Sequence, residues 1–240
     1  MSIGVYLRTC SYLTTIAVLT LIGIIPAVII ASLPESIRFR IKIFYWLEYW
    51  FFSLILKSLW VPVIYKGLEN IPSEPVIFAA NHQSSLDIPS LGSLTKGREN
   101  IWLIWHMLST YPVFGYIVQR MNVMVDTTTS MKAARSLFQA YELLIDNHRD
   151  LMIFPEGGRF TDGKVHEFFA GFAMLAKKTQ RPVIPVLLKN TSKVCAPKTI
   201  WINYAPIEIH IGKSFIYEEN ETAQQFLDRV HNWFVVTNGS

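Results

Sequence analysis

Cysteines and charged side chains are scarce in this sequence. Cys10 and Cys195 are the only cysteines among 240 residues, too few for a disulfide framework and without the spacing of a metal site. The sequence also contains no Gly-rich Walker pattern and no Gly-x-Ser-x-Gly elbow, so neither a P-loop site nor a serine-hydrolase nucleophile is indicated. Charged residues make up 17% of the chain and hydrophobic residues 51%, which is more apolar than an ordinary soluble enzyme.

The apolar excess is concentrated near the N-terminus. No charged residue occurs between Arg8 and Glu35, and the stretch SYLTTIAVLTLIGIIPAVIIASL runs there for 23 residues. Since about 20 apolar residues span the hydrocarbon core of a bilayer, this stretch predicts a membrane helix, in which Pro26 permits a kink. A cleaved signal peptide is the alternative. The long apolar run and the lack of a small-x-small cleavage site before Pro34 favour the uncleaved helix.

A second apolar stretch, RFRIKIFYWLEYWFFSLILKSLW, follows from Arg38 to Trp60. Its basic start and crowded aromatic rings are typical of the lipid headgroup layer. A short second span and a helix lying in the interface fit equally well, and a buried hairpin in a soluble core is a further alternative. We therefore expect residues 1–60 to form a membrane-associated helical hairpin and residues 61–240 to form the main domain.

The net charge of +4 and the pI near 9.0 suit an anionic membrane surface. No cluster of Lys and Arg with interleaved aromatics occurs outside the N-terminal segment, so nucleic acid is not an expected partner. The phospholipid bilayer is the expected one.

After Trp60 the pattern changes to short β-rich runs that alternate with helical ones. Strands are predicted at VIYKG (63–67), VIFAA (76–80), IWLIW (101–105), NVMVD (122–126), LMIF (151–154), VIPVLL (183–188) and IEIHI (207–211). Helices are predicted from Thr129 or Ser130 to about Asn147, over residues 168–178, and over residues 221–234. This alternation predicts an α/β domain with a mixed, mostly parallel sheet flanked by helices.

The motif NHQSSLD places His82 just past a predicted strand and Asp87 five positions later. Histidine exchanges protons near neutral pH, and a carboxylate bonded to one ring nitrogen fixes the tautomer and stabilises the imidazolium. A turn between the two residues would bring them together. The structural alternative is that Asp87 complements the dipole of a first helical turn while His82 merely ends a strand. The heptad alone does not separate these interpretations.

A second motif, LMIFPEGGRF, ends a predicted strand with Pro-Glu-Gly-Gly-Arg. Gly157 and Gly158 permit a tight turn and the close approach of a ligand, and Arg159 offers a planar fork for a phosphate or carboxylate. Glu156 is placed to order that arginine or to accept a hydroxyl group. A surface turn with a weak Glu–Arg pair is the alternative. Both motifs together suit proton removal from a hydroxyl on an anionic, lipid-like molecule.

The two motifs, with some 70 residues between them, resemble the first and third motifs of the 1-acylglycerol-3-phosphate acyltransferase family of glycerolipid acyltransferases. The segment YPVFGYIVQRMNVMVD (111–126) is similar to that family's second block, and RPVIPV (181–186) to its fourth. The four blocks occur in the family's order over roughly residues 60 to 215.

The resemblance implies that His82 is the general base and that Asp87 orients it. The acceptor hydroxyl would attack the thioester of acyl-CoA or acyl-acyl carrier protein, with no acyl-enzyme and no metal or other cofactor. Glu156, Gly157, Gly158 and Arg159 would belong to the acceptor site, with Arg159 on the phosphate of lysophosphatidic acid. The N-terminal helices would hold the site at the membrane, expected to be a bacterial inner membrane with the site on its cytoplasmic face.

Two further residues are implied in the acceptor site. Pro185 would shape the acyl or acceptor pocket, although a buried strand proline is the alternative. Arg120 is a candidate replacement for basic residues that the family commonly carries and this sequence lacks. The third motif also departs from the family at Gly158 and Phe160, where hydroxyl residues are usual.

These departures leave the acceptor open. Another lysophospholipid or a lyso-aminolipid remains an alternative acceptor. A lipid carrier on a retired scaffold and a hydrolase whose histidine activates water are alternatives from other classes, although both His82 and Asp87 are present and no nucleophilic serine motif is.

Overall fold

All of the predicted strands are present and join a single sheet. The computed structural model describes residues 2–145 and 148–239. Within them the strands are β1 (Val63–Lys66), β2 (Ile77–Ala80), β3 (Asn100–Trp105), β4 (Val123–Val125), β5 (Asp150–Ile153), β6 (Val183–Lys189) and β7 (Ile207–Ile211). Their spatial order is β1-β7-β6-β2-β5-β3-β4. β6 and β7 are antiparallel and the other neighbours are parallel, which confirms the mixed, mostly parallel sheet.

Helices connect and cover the strands. They are α1 (Ile3–Ser32), α2 (Glu35–Arg38), α3 (Lys42–Ser58), α4 (Asp87–Gly92), α5 (Phe114–Met121), α6 (Ser130–Ile145), α7 (Ala170–Thr179), α8 (Thr191–Val194) and α9 (Ala223–Gly239). A 3-10 turn at His106–Thr110 joins β3 to α5. The start of α6 agrees with the prediction, whereas its predicted end at Asn147 lies outside the described residues.

Alternating side chains of the central strand β2 pack into two separate apolar layers, one on each face of the sheet. Ile77 and Ala79 pack with residues of α6, α7 and α9 on one face, while Phe78 and Ala80 pack with residues of α3 and α4 on the other. Successive strand residues point to opposite faces, and a parallel strand covered on both faces is apolar throughout. The ends of β2 are therefore fixed rigidly within the sheet.

The two N-terminal apolar stretches have different surroundings. Within residues 2–145 and 148–239, α1 is the one helix long and apolar enough to cross a membrane; its most apolar window has a mean hydropathy of 2.6 and is only 6% buried. The second stretch instead forms α3, and its first residue, Arg38, ends the short helix α2. Leu56 of α3 lies in the core beside α4, while Trp46 and Leu47 are exposed. The stretch thus covers the sheet and keeps an apolar outer side.

Both ends of α1 are attached to the α/β domain. Near its start, the Arg8 Nε–H donates to the Ile202 carbonyl at 3.3 Å, and the Ile202 amide donates to Thr9 Oγ1 at 3.0 Å. At its end, Arg120 of α5 donates from Nε to the Ala31 carbonyl at 2.9 Å. α1 therefore lies along the domain.

Candidate functional site

The two motifs meet because β2 and β5 are parallel neighbours. Ile77 of β2 pairs with Leu151 of β5, and Ala79 with Ile153. The carboxyl ends of these strands consequently reach the same edge of the sheet, where ligand sites of α/β folds collect. His82 leaves this edge two residues after β2. The FPEGGR loop leaves it directly after β5.

The ring of His82 is bonded to the carboxylate of Asp87. Nδ1 of His82 lies 2.7 Å from Oδ2 of Asp87, and the Asp87 side chain is 0% exposed while that of His82 is 12% exposed. The same carboxylate oxygen accepts the backbone N–H groups of Gln83 and Ser84, each at 2.6 Å. Asp87 therefore fixes both the imidazole and the turn that carries it.

The second oxygen of Asp87 is held by a residue that the sequence did not indicate. Thr191, at the start of α8, donates its hydroxyl to Oδ1 of Asp87 at 2.5 Å and is fully buried. It lies 104 residues from Asp87 along the chain, so no local pattern links the two. With this bond, both oxygens of the buried carboxylate have donors.

Side-chain amides fasten the His82 turn to β6. The amide group of Asn81 accepts the Leu188 N–H at 2.7 Å and donates to the Leu188 carbonyl at 3.0 Å, so it pairs like a strand residue. Gln83 donates to the same carbonyl at 2.6 Å and accepts the Ser192 hydroxyl at 2.6 Å. The turn that carries His82 is thus hydrogen-bonded to both β6 and α8.

Glu156 joins the two motifs through backbone groups. Its Oε2 accepts the His82 N–H and its Oε1 accepts the His166 N–H, both at 2.9 Å. Burial raises the pKa of Glu156 above its usual range, and the two N–H donors oppose that effect. The Phe160 N–H in turn donates to the His82 carbonyl at 2.8 Å. Glu156 therefore orders the loop backbone and leaves Arg159 unpaired with it.

Arg159 contacts the other ring nitrogen of His82. Its Nε–H donates to Nε2 of His82 at 2.9 Å, at an exposed position. Because the Asp87 carboxylate can only accept a hydrogen bond from Nδ1–H and Arg159 donates one to Nε2, these contacts match the tautomer with hydrogen on Nδ1. The ring of Phe154 stacks on the imidazole with centroids 4.0 Å apart. The basic nitrogen thus points toward the open side of the site.

Gly157 and Gly158 of the loop meet different structural requirements. Gly157 has φ +67°, and a Cβ at that position would meet nothing within 4 Å. The requirement is therefore conformational, since left-handed backbone favours glycine. At Gly158 a Cβ would lie 3.2 Å from the Phe160 ring. The bend at Gly157 directs the chain so that Arg159 faces His82.

Arg120 and Pro185 lie apart from this cluster. The Arg120 guanidinium donates to the carbonyls of Ala31 and Leu33 at 2.9 and 3.1 Å, where it satisfies groups that the end of α1 leaves unpaired. Pro185 is buried in β6 and lies beside Gly212 on the sheet face that α9 covers. The geometry gives no support for a substrate contact by either residue; the strand-proline alternative fits Pro185.

The arrangement is suited to general-base chemistry, because an imidazole oriented by a buried carboxylate lies beside an exposed guanidinium at the edge of the sheet. Among residues 2–145 and 148–239, no group of three or more His, Cys, Asp and Glu side chains is placed to hold a metal ion.

Comparison with known proteins agrees with this geometry. The family model described as Acyltransferase matches residues 62–189. The chain is 30% identical over 151 residues to a chloroplastic 1-acyl-sn-glycerol-3-phosphate acyltransferase of Brassica napus, covering 62% of this chain and 43% of the relative. A Saccharomyces cerevisiae protein of the same name is 29% identical over 193 residues, 78% of this chain and 63% of the relative. The chain spans about half the length of several curated plant relatives it matches, from 36% to 57%.

The fold also resembles a solved structure, that of the 1-acyl-sn-glycerophosphate (LPA) acyltransferase PlsC from Thermotoga maritima. The TM-score is 0.78 at 22% identity, with 98% of this chain and 95% of that chain covered. At this identity the likeness establishes a shared fold. The family match covers more than half of the sequence and both motifs of the His82 cluster, and the chain therefore belongs to the acyltransferase family.

Proposed function

We propose that this protein transfers a fatty acyl group from an acyl thioester, either acyl-CoA or acyl-acyl carrier protein, to the sn-2 hydroxyl of 1-acylglycerol 3-phosphate, giving phosphatidic acid. The observation that carries the proposal is the His82 imidazole, whose Nδ1 lies 2.7 Å from buried Asp87 and whose Nε2 accepts the Arg159 Nε–H at 2.9 Å. The names of the Brassica and yeast relatives supply the acceptor and the reaction class.

The proposed reaction uses one base and no covalent intermediate. Nε2 of His82 takes the proton of the acceptor hydroxyl as its oxygen attacks the thioester carbonyl carbon. The tetrahedral species collapses, the carbon–sulfur bond breaks, and the thiolate receives the proton from the imidazolium. Asp87 stabilises that imidazolium through Nδ1–H, and its fixed position removes the cost of orienting the ring.

The acceptor's phosphate is the proposed ligand of Arg159. Within residues 2–145 and 148–239 its Nη1 and Nη2 groups make no hydrogen bond, and only its Nε is engaged. A free guanidinium fork beside the base suits bidentate binding of a phosphate. The phosphate and the hydroxyl of glycerol phosphate lie on adjacent carbons, so a phosphate on Arg159 brings the hydroxyl toward His82.

The bilayer is the proposed location of both lipids. No charged residue occurs between Trp105 and Arg120, and Trp105, Tyr111 and Phe114 in this segment are exposed. Tyr116 of α5 donates to Ser32 Oγ at the end of α1 at 3.1 Å, so the exposed aromatic segment continues the apolar surface of α1. Exposed aromatic rings of this kind favour the membrane interface, and the segment follows β3 at the catalytic edge.

We infer that α1 lies in one leaflet. A helix of 30 residues is about 45 Å long at 1.5 Å per residue, enough to cross a bilayer. Both of its ends nevertheless bond to the same α/β domain, through Arg8 and through Ala31. A crossing helix would separate those ends by the membrane. We place the site on the cytoplasmic face of a bacterial inner membrane.

A panel of acceptors tests the proposed function. Purified full-length protein in vesicles receives a labelled acyl thioester together with lysophosphatidate, a neutral monoacylglycerol, a choline lysophospholipid or a lyso-aminolipid. We expect transfer to be strongest to lysophosphatidate. Stronger transfer to another lyso-lipid would replace the acceptor in this proposal. No transfer to any acceptor, with water alone consuming the thioester, would point to a hydrolase instead.

A further inference from the structure

The Arg159 guanidinium donates a hydrogen bond to Nε2 of His82, the nitrogen that takes the proton in the proposed reaction. Its Nε–H donates to Nε2 of His82 at 2.9 Å, while Nδ1 of the same ring faces Asp87 at 2.7 Å. A neutral imidazole has one acceptor lone pair, and here it points at Arg159. The hydroxyl proton of an acceptor must reach the same lone pair, so Arg159 and the acceptor hydroxyl cannot both occupy it.

We propose that Arg159 is a gate on the base as well as a phosphate ligand. Without an anionic acceptor it caps Nε2 of His82, and an acceptor phosphate draws the guanidinium away and frees the base. The inference rests on the proposed function and makes Arg159 a specificity-determining residue, because only acceptors that carry an anion open the site.

The contacts around the ring show which partner moves. Asp87 is buried and receives four hydrogen bonds, and Glu156 is fixed by two backbone N–H groups. Arg159 is exposed and is held by the His82 bond alone within the described ranges, 2–145 and 148–239. A phosphate that accepts two charge-assisted hydrogen bonds is a stronger partner for it than one neutral nitrogen. The guanidinium therefore leaves the ring, and the ring stays in place.

The gate has a chemical purpose, since water is always present beside a thioester. In hydrolysis, His82 Nε2 would take a proton from water, the water oxygen would attack the thioester carbonyl, and the carbon–sulfur bond would break. The products are a fatty acid and a thiol, which receives the proton back. A capped Nε2 cannot activate water. The donor is therefore protected until a phosphate-bearing acceptor arrives.

An acceptor analogue without a hydroxyl group isolates the gate. An acylated propanediol phosphate has the acyl chain and the phosphate of the acceptor, but no hydroxyl at the position to be acylated. With wild-type protein and a labelled acyl thioester, we expect it to raise the rate of thioester hydrolysis at least about tenfold, the scale of one hydrogen bond to a charged group. A propyl ester of the same fatty acid, which has neither a phosphate nor a hydroxyl group, should leave the rate unchanged.

Variants identify the residue responsible. Arg159→Ala should hydrolyse the thioester at the raised rate with no analogue present, and the analogue should add nothing. The double variant His82→Ala/Arg159→Ala should return to the low rate, because the exposed base is then missing. Arg135→Ala is the matched control, since Arg135 is exposed on α6 and should behave as wild type.

The outcomes separate the gate from the acyl transfer itself. If wild type acylates lysophosphatidate but neither the analogue nor Arg159→Ala raises hydrolysis, Arg159 is a phosphate ligand only and the gate is wrong. If hydrolysis rises in both tests while lysophosphatidate is not acylated, the gate stands and the proposed acceptor is wrong. A rise that persists in the double variant would also overturn the gate.

Discussion

Two buried aspartates stand at opposite ends of the sheet, and their surroundings differ in one decisive respect. Asp87 follows the carboxyl end of β2 and is 0% exposed, with His82 at 2.7 Å. Asp150 begins β5 and is 1% exposed, with Arg98 Nε at 2.9 Å. Both therefore pair a buried carboxylate with a nitrogen base or cation. Burial and pairing by themselves do not distinguish a catalytic group from a structural one.

The two pairs differ in the contacts of the nitrogen atoms that do not face the aspartate. Arg98 donates its Nη1 to the Pro72 carbonyl at 2.8 Å, and Asp150 accepts the Val76 N–H at 2.9 Å, so that pair connects loops to the strand ends. The second ring nitrogen of His82 instead meets Arg159, which is exposed. A catalytic pair needs a reactive atom that a substrate can reach, and only the pair at the carboxyl edge has one.

The largest effect on turnover is expected from His82→Ala. Removal of a general base lowers the rate by at least about 100-fold, measured as the initial rate of acyl transfer to lysophosphatidate. His210→Ala is the matched control, because His210 Nε2 lies 2.8 Å from Glu208 in a similar pair on β7 and should keep wild-type turnover. Equal rates for wild type and His82→Ala would mean that the His82–Asp87 pair is structural, like the pair of Arg98 and Asp150.

Thr191→Val should lower turnover by about tenfold, the lower end of the effect seen when a supporting hydrogen bond behind a functional residue is removed. The KM for the acceptor should stay unchanged, because Thr191 acts through Asp87. Thr191→Ser should restore the rate, and Thr95→Val should not lower it, since the buried Thr95 hydroxyl bonds to backbone groups of its own turn, the Gly92 carbonyl and the Gly97 N–H. A loss of stability without a loss of turnover would reduce Thr191 to a packing role.

Gly157→Ala should have a smaller effect. The substitution puts a Cβ on backbone with φ +67°, at a cost of about 1 kcal/mol in the free energy of unfolding. Turnover should fall less than in Thr191→Val, because the loop rather than the base is displaced. Gly158→Ala tests whether the cost is conformational: it should be milder, since its new Cβ meets only the Phe160 ring at 3.2 Å. An equal or larger loss there would point to crowding.

Asp150→Asn should leave turnover unchanged and alter stability. Burial raises the pKa of Asp150 to about 6, against the effect of Arg98 and the Val76 N–H. A raised pKa means that the folded state holds the proton more tightly than the unfolded state does. A pKa shift of roughly two units corresponds to about 3 kcal/mol in the free energy of unfolding. This stabilisation is complete below about pH 4 and is lost as the pH rises through 6.

Urea unfolding in detergent from pH 4 to pH 7 measures this effect. The free energy of unfolding of wild type should fall relative to that of Asp150→Asn across the window. A difference that does not change with pH would mean that Asp150 titrates normally. A loss of turnover per folded molecule in Asp150→Asn would mean that Asp150 takes part in catalysis. The contrast between Asp87 and Asp150 would then be wrong.

The sequence predicted the strands and both motifs because their signals are local. Short apolar runs marked all the strands, and the spacing of His82 and Asp87 allowed a pair, which the resemblance to the family then implied. The order of strands is not a local property, so the contact between His82 and Arg159, 77 residues apart, became visible only with the pairing of β2 and β5.

The rest of the site depended on long-range contacts. Leu188 of β6 and Thr191 of α8 bond to the His82 turn from more than 100 residues away along the chain, and nothing in their local sequence marks that role. The direction of a lone arginine is equally hidden: Arg120 faces the end of α1, where unpaired carbonyls attract it. Glu156 illustrates the same limit, since its two backbone partners were not visible in its motif.

A double-variant cycle on His82 and Asp87 tests the central claim most directly. The rate of acyl transfer is measured for wild type, His82→Ala, Asp87→Asn and the double variant. If the carboxylate acts only by orienting and stabilising the imidazole, Asp87→Asn loses turnover and the double variant is no slower than His82→Ala, because residues that act as a unit are not additive. Losses that multiply in the double variant would contradict the account, because Asp87 would then contribute independently of His82.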